Sequence, residues 1–249
     1  MTNTNCIEVK DVNFSYNNNL VLENISFDVK TGEYLGIIGP NGSGKTTLIK
    51  IILGLINAAS GKITILGKDI NKFKERYKIG YVPQRMSQSG FSFPATVYEV
   101  IQSGLTPKLG LFKRPRKTDI TYIEHIMDIT KTSHYRDRLI GKLSGGQKQM
   151  VFIAKALVGD PEILILDEPV TGVDIASQEK FYKFIEHLNK TFAITIIFIT
   201  HDLGVISKEA SSILCINKKV CCYAHPDMIV KDNFLEEIYG RKVSIHKHL

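Results

Sequence analysis

No segment of the 249-residue chain is long and apolar enough to cross a lipid bilayer. A spanning helix needs about 18–20 consecutive apolar residues, whereas the longest apolar runs here, such as residues 193–199, have the length of a strand. The beginning of the chain, residues 1–5, also lacks the basic and apolar regions of a signal peptide. These absences predict a protein of the cytoplasm, and a hydrophobic content of 43% is ample for a buried core.

Cysteine is scarce, and its spacing does not indicate a disulfide framework. Cys6 is isolated, and Cys215, Cys221 and Cys222 lack the paired spacing of two cysteines separated by two residues. The pair Cys221-Cys222 before His225 leaves metal binding as an alternative. We favour packing as small hydrophobes, because these cysteines lie in an apolar, strand-like stretch.

Acidic residues are fewer than basic ones, 25 against 32, so the net charge is +7. A moderately basic chain is compatible with nucleic acid, with anionic lipid, or with solubility alone. The densest run of cations, residues 108–117, holds five in ten residues together with Gly110 and Pro115. That composition predicts an exposed loop, and contact with a membrane surface stays an open alternative.

The hydrophobic pattern alternates between strands and helices along the chain. Strand patterns occupy residues 7–16, 21–29, 62–66, 79–82, 163–166 and 194–200. Helix patterns follow residue 46 and occupy residues 96–105, 118–129 and 176–190, with a mainly helical stretch from about residue 85 to residue 159. The order predicts an α/β fold, with a βα core that is interrupted by a helical insertion.

A phosphate-binding loop is the most specific motif of the chain. The pattern G-x-x-x-x-G-K-[ST] is matched without a mismatch by Gly39, Pro40, Asn41, Gly42, Ser43, Gly44, Lys45 and Thr46. An apolar strand pattern precedes it and a helical pattern follows, which is the setting that the motif requires. Its glycines allow backbone N–H groups to surround an anion, Lys45 can reach the β- and γ-phosphates, and Thr46 can ligate Mg²⁺. An ordinary glycine-rich turn is the alternative. The complete motif in its strand–loop–helix setting favours a nucleoside triphosphate site.

The second motif places two carboxylates directly after a buried strand. Four apolar residues, 163–166, precede Asp167 and Glu168. In open α/β sheets, ligands bind at the carboxyl ends of the strands. Asp167 is a candidate ligand of Mg²⁺, usually through water, and Glu168 is a candidate base that polarises an attacking water. Without the phosphate loop, the pair would equally suit a helix-capping turn.

The third motif is Leu143-Ser144-Gly145-Gly146-Gln147. Ser144 and Gln147 have the spacing of a capping box, so a helix is expected to begin here. The cap does not account for the two glycines, each of which weakens a helix by about 1 kcal/mol relative to alanine. Bare backbone N–H groups at this helix start would provide a second anion site.

With this motif the sequence resembles the nucleotide-binding subunits of ABC transporters, in which LSGGQ is the signature loop. The resemblance covers nearly the whole chain. It implies a P-loop NTPase core with an antiparallel β subdomain and an inserted α-helical subdomain, all within one nucleotide-binding domain, residues 1–249. The core would comprise about residues 1–84 and 160–249, and the helical subdomain about residues 85–159.

The resemblance implies further site residues. Tyr16 would stack on adenine, and Gln84 would contact Mg²⁺ or water; alone, they are typical of an edge strand and a turn. Asp174 would lie in a loop that crosses the dimer interface, or cap the following helix, and His201 would lie near the γ-phosphate. The phosphate-binding set would also include Thr47. Met150 stands where the family commonly has arginine, three residues after the motif glutamine.

The mechanism that the resemblance implies is an ATP-driven cycle. Two subunits would pack head to tail and trap two ATP molecules, each held by Lys45 of one subunit and contacted by Ser144 and Gly146 of the other. Hydrolysis, with Mg²⁺ held by Thr46, Gln84 and Asp167, would reopen the dimer. Opening and closing would move separate transmembrane permease subunits, whose cytoplasmic helix would bind near residues 84–105.

The cargo is implied only by kinship. Residues 90–97, 171–174 and 234–240 resemble the zinc/manganese importer branch, which implies an extracytoplasmic metal-binding protein and a place on the cytoplasmic face of the inner membrane. His246 and His248 could handle metal, although a solvated tail is the simpler interpretation. Uptake of iron–siderophore or haem is the first alternative. A soluble ABC protein acting on nucleic acid or ribosomes is the second, and one set of motifs without sustained heptads argues against it.

Overall fold

The computed structural model describes residues 4–84, 94–110, 112–169, 175–200 and 203–231, without the side chains of residues 175–177, 203–205, 230 and 231. The chain divides into two compact units. The first unit comprises Met1–Lys74 and Glu186–Leu249, and the second comprises Glu75–Ile185. None of the described helices is long and apolar enough to span a membrane.

The regular elements follow the predicted alternation. The strands are β1 (Asn5–Tyr16), β2 (Asn19–Lys30), β3 (Tyr34–Ile38), β4 (Ser60–Ile65), β5 (Lys68–Asp69), β6 (Ile79–Val82), β7 (Ile163–Asp167), β8 (Thr195–Ile199), β9 (Ser212–Asn217) and β10 (Lys219–Ala224). The helices are α1 (Lys45–Ile52), α2 (Val97–Gln102), α3 (Thr106–Leu109), α4 (Lys117–Ile129), α5 (Gly145–Leu157), α6 (Ile175–Phe192), α7 (Leu203–Glu209) and α8 (Pro226–Lys231). The predicted α/β class is confirmed.

The first unit contains an antiparallel sheet in the order β2-β1-β4-β5. Its β1–β2 hairpin turns at Asn17 and Asn18, both with positive φ, which suits the right-handed twist of the two strands. The turn leaves Tyr16 at the end of β1, directly opposite Asn19. Tyr16 therefore lies at the turn end of β1, a strand that pairs with β2 on one side and β4 on the other.

The first unit also contains strands in the order β10-β9-β3-β8. β3 runs parallel to both β8 and β9. Every residue of β3 and of β8 is buried, as expected for parallel strands with both faces covered. β3 ends at Ile38, so its carboxyl end delivers the chain into the phosphate-binding loop.

The second unit holds the parallel pair β6 and β7 together with α2–α5. α5 contacts both α2 and β6, and it buries Val151, Ile153, Ala154 and Leu157 among others. All five residues of β7 are buried. This packing fixes the ends of two elements that carry predicted site residues, the carboxyl end of β7 and the amino end of α5.

The helix predicted over residues 96–105 is shorter than expected. α2 ends at Gln102, a 3₁₀ turn follows at Ser103–Leu105, and α3 begins at Thr106. The physical reason is close packing at Gly104, where an added Cβ would lie 2.0 Å from the carbonyl oxygen of Lys155. The basic run at residues 108–117, which was predicted to be an exposed loop, is helical at its two ends, where Lys108 and Leu109 belong to α3 and Lys117 begins α4. The described residues between the helices are mostly exposed, and Phe112 is fully exposed.

Candidate functional site

The phosphate-binding loop joins β3 to α1, as the motif predicts. Lys45 is buried, with 6% of its surface exposed. Its Nζ donates hydrogen bonds to the carbonyl oxygens of Gly39 at 2.8 Å and Pro40 at 2.9 Å. The ammonium group therefore lies against the backbone of its own loop, at the amino end of α1, where the helix dipole also favours an anion.

The loop has an uncapped helix start. Gly44 is the N-cap of α1, with φ of 101°, and no side chain accepts a hydrogen bond from the first turn. Unsatisfied N–H groups at such a start are ready donors to phosphate oxygens. Of the neighbouring hydroxyl residues, Thr46 is exposed and Thr47 half-buried.

Ser43 supplies a second indication that the loop is built for a ligand. Its side chain is 2% exposed, and its Oγ has no hydrogen-bond partner. A buried hydroxyl without a partner costs about 1–3 kcal/mol. An oxygen-rich anion in the loop would satisfy this group.

Tyr16 is exposed, as a stacking platform would require. Its ring shows 45% of its surface and meets Phe14 edge to face, with ring centroids 4.7 Å apart. Because β1 is an interior strand of its sheet, Tyr16 is not an edge-strand aromatic, and its exposure is compatible with the predicted adenine contact.

The acidic pair lies at the carboxyl end of β7, in the second unit. Asp167 is 3% exposed, and Glu168 follows it with φ of 46°. A positive φ is uncommon for a residue with a side chain, and such conformations concentrate at functional sites. The Nε2 of Gln84 donates a hydrogen bond to the Oε2 of Glu168 at 2.6 Å. The structure thus brings together two residues that the sequence places far apart.

Tyr81 is a contact of the acidic pair that sequence reasoning missed. Its hydroxyl lies 3.5 Å from the Oδ2 of Asp167 and points its donor toward that carboxylate. Burial, together with the charge of Asp167, raises the pKa of Tyr81 above its ordinary value. Tyr81 therefore stays a neutral donor beside the acid, and a tyrosine in a strand carries no sequence signal for this role.

The capping box at the start of α5 is confirmed. The backbone N–H of Ser144 donates to the Oε1 of Gln147 at 2.9 Å, and the backbone N–H of Gln147 donates to Ser144 Oγ at 3.4 Å. The Nε2 of Gln147 also donates to the hydroxyl of Tyr135 at 2.6 Å. Tyr135 was missed at the sequence level, because only the tertiary fold places it beside the motif.

The two glycines of this helix start have open surroundings. A Cβ added at Gly145 or at Gly146 would meet no atom within 4 Å. Neither glycine has a positive φ, so the backbone does not require glycine either. Nothing in the described part of this chain accounts for a missing side chain at these two positions.

Several predicted site residues are not described by the structure, and Met150 gives no further indication of its role. Asp174, His201, His246 and His248 lie outside the described residues, as do residues 85–93, 170–173 and 234–240. Met150 is half-exposed on α5, which gives no physical account of the missing arginine. The phosphate loop belongs to the first unit, whereas the acidic pair and the Ser144–Gln147 segment belong to the second.

The cysteine interpretation is confirmed only in part. Cys215 is buried, as predicted for a small hydrophobe, but Cys221 is exposed and Cys222 half-exposed. The alternation of side chains along β10 explains the difference, because it turns successive residues to opposite faces. Among the described residues, no group of three or more histidine, cysteine, aspartate or glutamate side chains is arranged to hold a metal.

The chain is similar in sequence to a known protein family and to several ATP-binding proteins of metal transport systems. Residues 22–171 match the family model described as ABC transporter. The zinc uptake system ATP-binding protein ZurA of Listeria innocua is 44% identical over 86% of this chain and 83% of its own length. The manganese transport system ATP-binding protein MntB of Bacillus subtilis is 36% identical over 97% of this chain and 95% of its own length.

A solved ATP-binding cassette shares the fold. It is a dimer in a post-hydrolysis state, bound to ADP and phosphate, and it is 26% identical with a TM-score of 0.75. The match covers 88% of this chain and 98% of that one. The motifs, the fold and the relatives agree, and the chain belongs to the ABC transporter family as an ATP-binding, ATP-hydrolysing subunit.

Proposed function

We propose that this subunit hydrolyses ATP to drive a membrane permease that imports zinc or manganese. The hydrolytic role is supported by the hydrogen bond from Gln84 to Glu168. This bond positions the carboxylate of Glu168, a residue with positive φ directly after β7. The choice of metal is supported by kinship, since one relative belongs to a zinc system and another to a manganese system.

In the proposed reaction, the phosphate loop binds the nucleotide and Glu168 accepts a proton from the attacking water. Gln84 positions the carboxylate of Glu168. The Nζ of Lys45 exchanges its hydrogen bonds with the loop carbonyl oxygens for hydrogen bonds with the phosphates. Tyr16 stacks on the adenine, with Gly39–Thr47 around the phosphates. Asp174 and His201 are assigned to the interface loop and to the γ-phosphate by family resemblance alone.

The residues present fit a Mg²⁺ ion bound with the nucleotide. Magnesium prefers hard oxygen ligands, and the proposed set offers the Thr46 hydroxyl, the Asp167 carboxylate and the Gln84 amide oxygen. When bound, the ion would neutralise charge on the phosphates. Asp167 is buried beside the hydroxyl of Tyr81, which keeps its carboxylate in place.

A second copy of the chain completes the proposed site. Ser144, Gly145, Gly146 and Gln147 of one subunit would face the nucleotide held by the other. The open space around both glycines supports this assignment, because a phosphate group can approach the bare backbone closely. The dimeric state of the related cassette with ADP and phosphate supports it as well.

The permease would bind the second unit, and the subunit would lie on the cytoplasmic face of the inner membrane. A groove of about 220 Å³ is lined by residues that include Tyr81, Pro83, Gly104 and Lys155. Of these four, Gly104 belongs to residues 84–105, the segment that the sequence assigned to this contact, and the others lie outside it. Its aromatic and proline walls suit a short apolar helix. An extracytoplasmic metal-binding protein would deliver the ion to the permease.

The test is elemental analysis of cells that lack this protein, complemented with wild type, Glu168→Gln or Glu162→Gln, under zinc, manganese or iron limitation. We expect loss of zinc or manganese, restored by wild type and by Glu162→Gln but not by Glu168→Gln. Glu162 is a matched control, since it is a surface carboxylate near the other end of β7, paired with Lys78. Purified Glu168→Gln should bind ATP with turnover lowered by roughly 10²–10⁴. Unchanged levels of all three metals would rule out metal import.

A further inference from the structure

Two cysteines face each other across the β9–β10 hairpin. The strand register pairs Cys215 with Cys222, and directly opposed residues of an antiparallel pair project from the same face. Their Cα atoms are then about 4.5–5.5 Å apart, inside the range of about 4.4–6.8 Å that a disulfide spans. The pairing therefore brings the two thiols within reach of each other.

The two thiols have different environments. Cys215 is completely buried, whereas Cys222 is half-exposed. The neighbouring thiol of Cys215 lowers the pKa of Cys222. The same contact, together with burial, raises the pKa of Cys215. Cys222 is thus the accessible thiol with the greater thiolate character, and Cys215 is the protected thiol behind it.

The same hairpin holds the phosphate-binding loop. Cys215 is in register with Ile38 of β3, the residue before Gly39. The next residue along β9, Ile216, places its carbonyl oxygen where a Cβ on Gly39 would be only 2.0 Å away. At the turn of the hairpin, the backbone N–H of Lys218 donates to the carbonyl oxygen of Ser43 at 3.0 Å. Any shift of the hairpin therefore reaches the loop backbone directly.

We propose that Cys215 and Cys222 form a reversible disulfide that lowers the affinity of the phosphate-binding loop for ATP. The proposal rests on the proposed role of that loop in nucleotide binding. The modification is an intramolecular disulfide, which requires both cysteines.

The oxidant is a small-molecule disulfide such as oxidised glutathione. The Cys222 thiolate attacks one sulfur of that disulfide, whose S–S bond breaks and whose other half leaves as a thiolate that takes up a proton. Cys215 then loses its proton and attacks the sulfur of Cys222, which releases the second half as a thiol. Two protein thiols are oxidised to one disulfide, and one small disulfide is reduced to two thiols.

Closing the bond requires the strands to move. The Cβ atoms of opposed residues lie about 4.5–5.5 Å apart, and those of a disulfide about 3.5–4.5 Å apart. β10 is drawn toward β9, which shifts the turn at Lys218, a residue with positive φ. The hydrogen bond from Lys218 to Ser43 is then lengthened, and the loop loses part of the support for its phosphate-binding shape.

The experiment treats the purified full-length protein with reduced or oxidised glutathione and measures two quantities. Alkylation followed by peptide mass spectrometry identifies the disulfide, and calorimetric titration with ATP and Mg²⁺ gives the Kd. For wild type we expect a Cys215–Cys222 disulfide and a Kd at least about tenfold weaker, both reversed by dithiothreitol. Cys222→Ser should show neither change. Cys221→Ser, a matched control at the exposed neighbour, should behave like wild type.

Three results would overturn the proposal: a disulfide with an unchanged Kd, a glutathione adduct that persists on Cys222, or loss of the effect in Cys221→Ser. Failure of the loop's proposed role is recognised separately, by reduced wild type that does not bind ATP. In that case the switch also fails, while mass spectrometry still reports whether the disulfide forms.

Discussion

The two glycine-rich helix starts of this chain, at α1 and at α5, use glycine for different reasons. At α1 the chain itself requires it: a Cβ on Gly39 would meet the carbonyl oxygen of Ile216 at 2.0 Å, and one on Gly44 would meet Leu22 Cδ2 at 2.5 Å. At α5 the backbone is helical and the space around Gly145 and Gly146 is open. Internal packing explains the first pair, whereas no contact within the described part of the chain explains the second.

The two helices also differ in how their first turns are capped. α1 begins without a side-chain cap, because its N-cap residue is Gly44. α5 begins with a complete capping box, in which Ser144 and Gln147 each accept a hydrogen bond from the other's backbone N–H. The first turn of α5 is therefore stabilised by its own side chains, whereas that of α1 is not.

The largest expected effect comes from Gly39→Ala. The new Cβ must displace the backbone of β9, and overpacking of this kind costs about 1–3 kcal/mol. We expect a lower free energy of unfolding in urea and loss of measurable ATP binding by calorimetry. Gly67→Ala is the control, because Gly67 also has positive φ but has no atom within 4 Å of an added Cβ. Equal losses in both variants would show that conformation, rather than close packing, governs Gly39.

A smaller effect is expected from Ser144→Ala. Removing an N-cap side chain costs about 1 kcal/mol, and Ser144 is the cap of α5. Urea unfolding should show this loss, while ATP binding at the phosphate loop of the isolated chain stays unchanged. Thr96→Ala removes the corresponding cap of α2 and should cost a similar amount without lowering turnover. A Ser144 variant of full stability would mean that its cap contributes little.

The smallest change in stability is expected from Gly146→Ala, and its sign is opposite. Alanine in a helix is favoured over glycine by about 0.5–1 kcal/mol, and the open space accepts the methyl group. The variant should therefore unfold at higher urea and bind ATP normally, yet hydrolyse it more slowly, because the methyl group blocks the approach of the partner's nucleotide. Wild-type turnover in the stabilised variant would contradict the proposed role of Gly146.

Much of the local structure was predictable. The strands β1 and β2, the buried strands β3, β7 and β8, and the capping box at Ser144 follow from short-range patterns of polarity and spacing. The predicted helix end that was wrong is determined by a residue that is distant in sequence. α2 stops at Gln102 because Gly104 packs against the backbone of Lys155, a contact that no local pattern encodes.

The sequence by itself determined which chemistry is present: a loop for phosphates, an acidic pair after a buried strand, and a helix start with bare backbone. These are local properties, since composition and spacing specify each turn and cap. Only the tertiary structure decided that Gln84 holds Glu168, that Tyr135 holds Gln147, and that Cys215 faces Cys222 behind the phosphate loop. Such pairings depend on strand order and register, which arise when distant segments bury their apolar faces together.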